Sequence, residues 1–578
     1  MHPRLARAVA VAGGCAVLLG GCGAGPSTAA SDVLGACAEE PAVCNSGERA
    51  DGGEITWAVD GTWKGWNLTA AADNTQYLSQ ALVGMWPKVG QFDPNGEFQY
   101  NDGLFTSEPA LVGEDPTRVE YSLNPDATWG DGTPIGLDDF VYHWYATSGD
   151  EERCEGCAPA DTSYGSAVES IEADGSAVTV TYTDYASAEW KYQEVLSHPA
   201  HIAEREAGDW RNDPRAMAES QTWFSEQPPT WTTGPYRIAD AATGEFVVYE
   251  RNPEWAGKTR PTLDKLTFRV IDSLDSIVTE MRQGTIDGAS PSSIGEDTIG
   301  QLLETEGVSF ATASGPGWEH LDLNLENEFL ADRTLRTAVL TAVDVEEIIA
   351  RTAAQTAPDI VRKLNPLFRN DSPHFEDRLS GTPQGSGDVH LAASLLEEAG
   401  YEWNDRNELL TPDGEVVELG LSYLESNDVR RTMAELVQAG LADLGIRADL
   451  EPIPGANYGE ALYGGQFDMV IFGWATTPTF TVGANQMYAS DSDSNFGGLD
   501  DPEVDELLDR LESTLEFDQA AEIANQAVEL VVDAAYVLPI VDSPVAIMIS
   551  DNLVNVRDNW ASQERAMYNI AEWGVREN

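Results

Sequence analysis

Strand and helix patterns alternate along one part of the chain, and this alternation constrains the fold more than any other sequence feature. The patterns are, in order, an alternating strand at 417–423, a helical stripe at 429–444, an alternating strand at 446–450, a short helix at 458–463 and an apolar run at 469–472. Strands separated by helices are typical of a parallel sheet covered by helices. The sequence therefore predicts an α/β fold.

The last of these strands lies in the stretch FDMVIFGWATTPTF at 467–480. Gly473 ends the apolar run, Trp474 follows it, and the threonines and proline after Trp474 cannot continue a central strand. Ligands of open α/β sheets bind just beyond the carboxyl ends of strands. Trp474, Thr476 and Thr477 are therefore candidates for a pocket wall. The alternative is that Trp474 is a buried side chain that closes a core.

Length and charge narrow the class of protein. A chain of 578 residues is too long for one core, which predicts about two or three domains. Acidic residues number 98 against 33 Lys and Arg, for a net charge of −65. Such a surface repels phosphate backbones and argues against nucleic acid as a partner. We interpret the charge as a solubility adaptation spread over the surface.

The amino terminus indicates export. Basic residues precede a small-residue apolar stretch at 8–19, and Gly-Gly-Cys follows with its cysteine at Cys22. This arrangement resembles a bacterial lipoprotein signal, which implies a signal peptide at 1–21 and a lipid on the Cys22 thiol. Residues 22–52 would then be the lipidated cysteine and a flexible tether. An ordinary secretory peptide is the alternative. We expect a location on the extracytoplasmic face of the cell membrane, with the lipid as the membrane contact.

The four later cysteines form two local pairs, Cys37 with Cys44 and Cys154 with Cys157. Cysteines outside the cytoplasm usually form disulfides, so we expect two of them. The second pair is a CxxC, but a second CxxC or a suitably spaced histidine for a zinc site is lacking in the sequence. We predict no metal site and no cofactor.

Other elements place further candidate residues. A first strand at 54–59 leads into a loop with Trp63, Trp66 and Asn67, where a ligand wall and core packing are both open interpretations. A helix is predicted from Asp332 to about 351, and an apolar strand at 535–540. An alternating strand at 321–325 is predicted just after Trp318, which lies between Gly317 and Glu319.

Several short motifs occur in an order that matches a known family. They are WGDGTP at 129–134 with Asp139 and Phe140, TGPY at 233–236, RNP at 251–253, Gly284 with Asp287, DR at 332–333 with RTA at 336–338, and Gly473 with Trp474. Each motif alone is weak. Together, across nearly the whole mature chain, they resemble the bacterial extracellular solute-binding proteins of family 5, the oligopeptide- and dipeptide-binding components of ABC importers.

The resemblance implies a two-lobed fold of the periplasmic-binding-protein type (class II, cluster C) with an extra inserted domain. Lobe I would be discontinuous, the inserted domain would interrupt it, and the remaining long segment would form lobe II. The implied ranges are 53–85, 230–314 and 534–578 for lobe I, 86–229 for the inserted domain, and 315–533 for lobe II.

The same resemblance implies capture of a solute, an oligopeptide first of all, between the lobes and its delivery to the permease subunits of an ABC importer. Such a protein is expected to be a monomer and not an enzyme. The candidate ligand-binding residues are Trp63, Trp66, Asn67, Trp318, Trp474, Thr476, Thr477, Asp491 and Phe496.

One departure concerns the ligand. Peptide-binding members carry an aspartate shortly after the Gly-Trp pair, where it pairs with the α-ammonium of the ligand, and Thr477 stands at the matching position. A neutral hydroxyl cannot make that charge-assisted hydrogen bond. Either Asp491 or Asp493 substitutes for it, or the ligand is not a simple peptide but a glycan, a glycolipid or a metal chelate.

Two other classes of function remain as hypotheses. One is a binding-protein fold reused in envelope assembly or signalling without a transporter. The other is a secreted hydrolase that uses two carboxylates, although the sequence lacks HExxH, GxSxG and a phosphate-binding glycine loop with lysine.

Overall fold

The computed structural model describes residues 33–183, 187–292 and 294–577. The predicted signal peptide and Cys22 lie outside these residues. Within them, no helix combines the length and the apolar composition that a membrane crossing requires.

Twenty strands are found in the described residues. They are β1 Glu54–Val59, β2 Gly90–Phe92, β3 Phe98–Tyr100, β4 Ala110–Glu114, β5 Thr117–Ser122, β6 Val168–Asp174, β7 Ala177–Tyr182, β8 Tyr236–Ala242, β9 Phe246–Arg251, β10 Lys265–Val270, β11 Gly288–Ala289, β12 Val308–Leu323, β13 Glu402–Trp403, β14 Leu409–Leu410, β15 Glu418–Leu424, β16 Arg447–Ile453, β17 Met469–Ala475, β18 Val537–Ser550, β19 Leu553–Val554 and β20 Gly574–Val575.

Fifteen α-helices accompany them in the same part of the chain. They are α1 Gln76–Leu82, α2 Leu137–Thr147, α3 Ser163–Ala167, α4 Ala200–Ala207, α5 Pro214–Glu226, α6 Leu274–Gln283, α7 Glu296–Leu303, α8 Arg333–Ala342, α9 Val345–Arg351, α10 Val389–Glu398, α11 Asp428–Asp443, α12 Tyr458–Tyr463, α13 Thr481–Tyr488, α14 Pro502–Glu512 and α15 Phe517–Ala534.

Ten strands form one large sheet in the order β16-β15-β17-β12-β18-β11-β1-β10-β9-β8. At one end β15 pairs in parallel with both β16 and β17, and toward the other end β1 pairs in parallel with β10 and β11. The parallel strands predicted between 417 and 472 are therefore confirmed. Their helix α11 packs against β15 and β16, as a strand–helix–strand unit requires.

Two long antiparallel strands, β12 and β18, join the two ends of this sheet. The sequence patterns predicted only short strands at 321–325 and 535–540, and these predictions were too short. The missing portions contain Gly315, Pro316, Ser543 and Pro544, which interrupt apolar alternation and conceal that both strands continue past the interruption.

The single helix predicted from Asp332 to about 351 was wrong, because the structure divides it into α8 and α9. Asp344 ends the continuity, since its side chain accepts a hydrogen bond from the Glu347 backbone N–H and starts a second helix. Asp332 caps α8 in the same way through the Thr334 N–H.

A separate four-stranded sheet, β4-β5-β7-β6, and the β2–β3 hairpin lie within residues 86–229. One large apolar core joins this region to the sheet around β1, where Trp57 and Trp573 pack 4.6 Å apart. A second large core underlies β15, β17 and α15. The chain therefore folds around two principal cores.

Both cysteine pairs are brought together. The sulfur atoms lie 2.04 Å apart in Cys37 and Cys44, and 1.86 Å apart in Cys154 and Cys157.

Candidate functional site

The site centres on the point where the paired strands β12 and β18 pass from one end of the sheet to the other. This point is here called the crossing. Their pairing register breaks between Ser314 and Trp318, which lie opposite Pro544 and Asp542. Gly315 lies in this break, and a Cβ there would be 2.8 Å from the carbonyl oxygen of Ser543. The close approach of the two backbones therefore requires glycine at this position.

An aromatic wall, formed by Trp318, Trp474 and Phe496, stands beside this crossing. Trp318 on β12 lies directly opposite Trp474 at the end of β17. The rings of Trp474 and Phe496 stack with centroids 5.6 Å apart and planes 7° apart. Trp318 is 1% exposed, whereas Trp474 and Phe496 are half-buried. The wall therefore presents a flat apolar surface at the carboxyl end of β17, suited to one side of a ligand pocket.

An ion pair lies beside Gly473. Arg430, in the first turn of α11, donates to both carboxylate oxygens of Glu319, over 2.8 and 3.2 Å, and to the Tyr458 hydroxyl. Burial acts to lower the pKa of Arg430, but the adjacent Glu319 carboxylate more than offsets this, and the net shift is upward. The site therefore contains a fixed guanidinium and a carboxylate, both half-buried.

Residues 476–480, here called the threonine strip, follow β17. The Thr476 N–H donates to the Pro316 carbonyl over 2.7 Å, which ties the strip to the crossing. The exposed Thr477 hydroxyl donates to the carbonyl of Thr479 over 2.6 Å. The Thr477 side chain thus stabilises the turn of the strip, and it carries no charge for an ammonium group.

A buried charge cluster lies behind the crossing. The Lys363 ammonium is 3.2 Å from one carboxylate oxygen of Asp542, and the Arg369 guanidinium is 3.6 Å from the other. Arg369 also donates to the Gly315 carbonyl and covers the Trp560 ring at 4.3 Å. Burial lowers the pKa of Lys363, and Asp542 opposes that shift. Because both cations come from one long loop, this cluster fixes that loop against β18.

A short helical turn at Ala188–Tyr192 reaches the end of the threonine strip. The Glu189 carboxylate accepts a 2.7 Å hydrogen bond from the Thr481 N–H at the start of α13. Trp190 donates to the Leu515 carbonyl, and Tyr192 packs edge-on against Phe517. This turn therefore connects the region of the smaller sheet to the part of the chain that carries the aromatic wall.

Trp63, Trp66 and Asn67 lie elsewhere, in the packed interior near β1. Trp66 donates to the Thr243 hydroxyl over 2.9 Å and packs edge-on against Trp63. Asn67 donates to the Gln221 side chain over 2.8 Å, and it is fully buried. The protein itself thus supplies partners for the polar groups of Trp66 and Asn67, and contact of these three residues with a ligand stays a prediction.

Asp491 and Asp493, the proposed substitutes for the missing aspartate, are exposed. Burial raises the pKa of Glu512 on α14, and the charges of Asp509 and, less strongly, Asp491 add to that upward shift. The structure thus brings together Trp318, Trp474, Thr476 and Phe496, and the role of Asp491 remains a prediction.

Sequence reasoning missed Glu319, Arg430 and Asp542. The signal for Glu319 was its place directly after Trp318 in a strand, and the signal for Asp542 was an acid inside an apolar run. Arg430 had no local signal, since it lies 111 positions after Glu319 in the sequence. Across the ranges that the structure describes, no group of three or more His, Cys, Asp or Glu is arranged to hold a metal ion.

In one large mixed sheet, the two long strands β12 and β18 join the two ends beside an aromatic wall. This is the arrangement of a two-lobed binding protein. A family profile described as "Bacterial extracellular solute-binding proteins, family 5 Middle" matches residues 100–496. The chain belongs to this family, and the predicted α/β two-lobed fold is confirmed.

Individual relatives lead to the same family assignment. The oligopeptide-binding protein OppA of Mycobacterium tuberculosis is 27% identical over 512 residues, which cover 87% of this chain and 82% of OppA. The solved structure of the periplasmic EDTA-binding protein EppA is 30% identical, with a TM-score of 0.81 over 93% of this chain and 99% of EppA. The oligopeptide-binding protein AppA of Bacillus subtilis, in complex with a nonapeptide, shares the fold at 18% identity and a TM-score of 0.66, over 92% of this chain and all (100%) of AppA.

Proposed function

We propose that this protein captures an extracellular solute between its two lobes and delivers it to the permease of an ABC importer. The observation that carries the proposal is the aromatic wall at the crossing of β12 and β18, in a chain of the solute-binding family. A solute that contacts both lobes stabilises the closed arrangement, because it adds binding free energy to that arrangement alone. The permease then recognises the closed form.

The proposed organisation has lobe I at 53–85, 230–314 and 534–578, the inserted domain at 86–229, and lobe II at 315–533. The order of the large sheet supports this division, since β16, β15 and β17 of the lobe II range lie at one end, β18, β11, β1, β10, β9 and β8 of the lobe I ranges follow toward the other, and β12 spans the boundary between them. We further propose a lipid on Cys22, which would hold a monomeric protein at the extracytoplasmic face, and oxidised Cys37–Cys44 and Cys154–Cys157 pairs.

An oligopeptide is the proposed ligand. The peptide backbone would run along the exposed edge of the threonine strip, and the half-buried Trp474 and Phe496 would contact its side chains. The proposed contacts remain Trp63, Trp66, Asn67, Trp318, Trp474, Thr476, Thr477, Asp491 and Phe496. Similarity to OppA over most of both chains supports this ligand class.

A metal chelate is the second candidate, and one observation favours it. The site lacks an acid at Thr477 but holds the Arg430 guanidinium, which suits carboxylates better than an ammonium group. The similarity to EppA, at 30% identity, supports the same class. In this case Arg430 would exchange part of its pairing with Glu319 for a carboxylate of the chelate.

Thermal unfolding in the presence of defined probes separates the two candidates. The probes are a pool of tripeptides to pentapeptides, Fe(III)–EDTA, and a mixture of soluble oligosaccharides as a third class. Binding to the folded form alone raises the midpoint of unfolding. A rise with the pool supports the peptide proposal, and a rise with Fe(III)–EDTA alone supports the chelate. A rise with oligosaccharides alone contradicts both, and consumption of a probe contradicts a purely binding function.

A further inference from the structure

The segment at residues 33–52, here called the N-terminal strap, is folded onto the proposed lobe I. The sequence predicted a flexible tether through the end of this segment, but Leu34 is only 2% exposed and Cys44 only 4%. Leu34 belongs to the large apolar core that also contains Ile549 of β18. The N-terminal strap is therefore part of the folded protein.

Hydrogen bonds join the N-terminal strap to the segment after β18. The Ala50 N–H donates to the Val575 carbonyl over 2.9 Å. The buried side chain of Arg557 donates from its Nε to the Cys44 carbonyl over 3.1 Å. Val575 and Arg557 both lie in a range proposed for lobe I, so these bonds make the N-terminal strap move with that lobe.

The N-terminal strap begins beside the start of β12. The Val33 N–H donates to the hydroxyl of Ser309, the second residue of that strand, over 3.3 Å. Trp318 lies further along β12, about 30 Å away at the usual rise per residue of a strand. The N-terminal strap therefore starts well away from the aromatic wall.

Lobe II lies at the other end of β12. Leu323, the last residue of β12, pairs with Met469 of β17, and Met469 pairs with Leu421 of β15. β15 runs parallel to β17, so its start lies near Leu323. The start of β15 and the N-terminal strap are therefore at opposite ends of β12.

The proposed lipid is near Val33 in the sequence. Cys22 precedes Val33 by 11 positions, and an extended chain of that length reaches at most about 40 Å. Without the folded strap the reach to residue 52 would be about 110 Å. The net charge of −65 opposes adhesion of the protein surface to an anionic bilayer. Folding of the N-terminal strap therefore limits how far the protein can move from its anchor.

We propose that the N-terminal strap is the attachment through which the lipid on Cys22 holds lobe I next to the membrane, with lobe II farther from it. The partner of this end of the protein is thus the bilayer that carries the lipid. This inference rests on the lipid and the lobes of the proposed function. It adds an orientation in which the protein is kept within reach of a permease.

Energy transfer to the membrane surface tests this orientation. Full-length lipidated protein is reconstituted into phosphatidylcholine–phosphatidylglycerol vesicles that carry an acceptor dye on their headgroups. The donor dye is placed on Glu306→Cys, an exposed position two residues before β12, or on Asp413→Cys, an exposed position in the turn before β15. We expect stronger transfer from position 306, in lobe I, than from position 413, in lobe II. Equal or reversed transfer would overturn the proposal.

Variants of the N-terminal strap test its part in the attachment. Leu34→Asp puts a carboxylate into the core and should release the start of the strap, which lowers transfer from the lobe I donor. Val43→Asp, at a position that is 59% exposed, should leave transfer as in wild type. A Gly/Ser insertion as long as 33–44, between Ala30 and Ser31, should lower transfer without any substitution in the folded protein. Unchanged transfer in Leu34→Asp together with lowered transfer in the insertion variant would overturn the proposal.

Hydrogen exchange measures the fold of the N-terminal strap without the lipid. In full-length Cys22→Ala, the Ala50 amide is expected to exchange slowly, because it is bonded to the Val575 carbonyl. Exchange as fast as in an unfolded peptide would overturn the proposal. Failure of the wild-type protein to associate with vesicles would overturn it together with the lipid on Cys22. Neither measurement uses a solute, so this proposal and the capture of a solute can fail independently.

Discussion

The guanidinium of Arg430 lies so close to Gly473 that a Cβ on Gly473 would be 2.9 Å from its Nη2. The same Cβ would be 2.8 Å from the carbonyl oxygen of Trp318, which is backbone and cannot move aside easily. Gly473 is therefore required by the packing between Arg430 and the aromatic wall, in addition to ending the apolar run.

Gly473→Ala is expected to destabilise the protein by about 1–3 kcal/mol, because the added methyl group overpacks this contact. Urea unfolding measures the change. The control is Gly483→Ala in α13, where the nearest atom to the added Cβ is 3.9 Å away. That variant should be as stable as wild type or more so, because alanine favours a helix interior. Equal stability of Gly473→Ala and Gly483→Ala would contradict the explanation.

The Arg430–Glu319 pair should behave as a coupled unit. Arg430→Met leaves the half-buried Glu319 carboxylate without its cation, and we expect a loss on the order of 2 kcal/mol. The double variant Arg430→Met with Glu319→Gln should recover part of that loss, since no unpaired charge remains. A double-mutant cycle by chemical unfolding gives the coupling free energy. Strictly additive effects would show that the pair contributes no interaction of its own.

The Glu189–Thr481 hydrogen bond is expected to hold the start of α13. Glu189→Ala removes the acceptor, so the Thr481 amide should exchange its hydrogen faster, by about ten-fold if the bond contributes about 1.4 kcal/mol. Glu189→Gln keeps an acceptor oxygen and should show a smaller change. Hydrogen exchange followed by mass spectrometry measures both variants. Unchanged exchange of 480–484 in Glu189→Ala would contradict the role of this contact.

Glu194 predicts a pH dependence of stability. Burial, with a smaller contribution from Glu564, raises its pKa to about 7, although Lys88 and the Val89 N–H oppose the shift. Its folded-state pKa thus lies above its usual value of 4.5, so ionisation disfavours folding. The loss of stability begins as pH rises above 4.5 and is complete above about 7.

Glu194→Gln removes this ionisation and can keep the hydrogen bond from the Val89 N–H. Its unfolding temperature should exceed that of wild type by a few degrees at about pH 8, and the difference should be absent at about pH 4. Thermal unfolding across this range makes the comparison. A constant difference at every pH would mean that the effect does not come from ionisation.

Thr477→Asp places a carboxylate where peptide-binding relatives are expected to have one. If the ligand is a peptide with a free amino terminus, its affinity should rise by about ten-fold or more, because a charge-assisted hydrogen bond becomes available. Binding of trialanine and of N-acetyl-trialanine to both proteins provides the comparison. A similar gain for the acetylated peptide would show that residue 477 does not read the amino terminus.

The sequence predicted those parts of the fold that produce a local pattern of apolar residues. The strand before Gly473 and the strand–helix–strand unit around α11 are local patterns, and the structure has them at the predicted places. The lengths of β12 and β18 were missed, because glycine and proline at the crossing resemble strand ends. Both strands continue there because each pairs with the other on either side of the break.

The chemistry of the site was harder to predict from the sequence than the fold. Trp474 was found because it follows a strand, but Arg430, Glu319 and Tyr536 meet the site from separate segments. Their pairing depends on tertiary packing that no local pattern records. Whether Trp66 and Asn67 contact a ligand or pack in a core was equally hard to predict, since a Trp-rich loop after a strand is compatible with both.

Closure of the two lobes over a solute would make the protein more compact, and small-angle X-ray scattering measures this change. The radius of gyration is measured for wild type and Trp474→Ala, without additive, with the tripeptide-to-pentapeptide pool and with Fe(III)–EDTA. One of these probes is expected to reduce the radius of gyration of wild type, and Trp474→Ala is expected to need a higher concentration of it. A probe that raises the unfolding temperature of wild type while leaving its radius of gyration unchanged would contradict closure of the lobes.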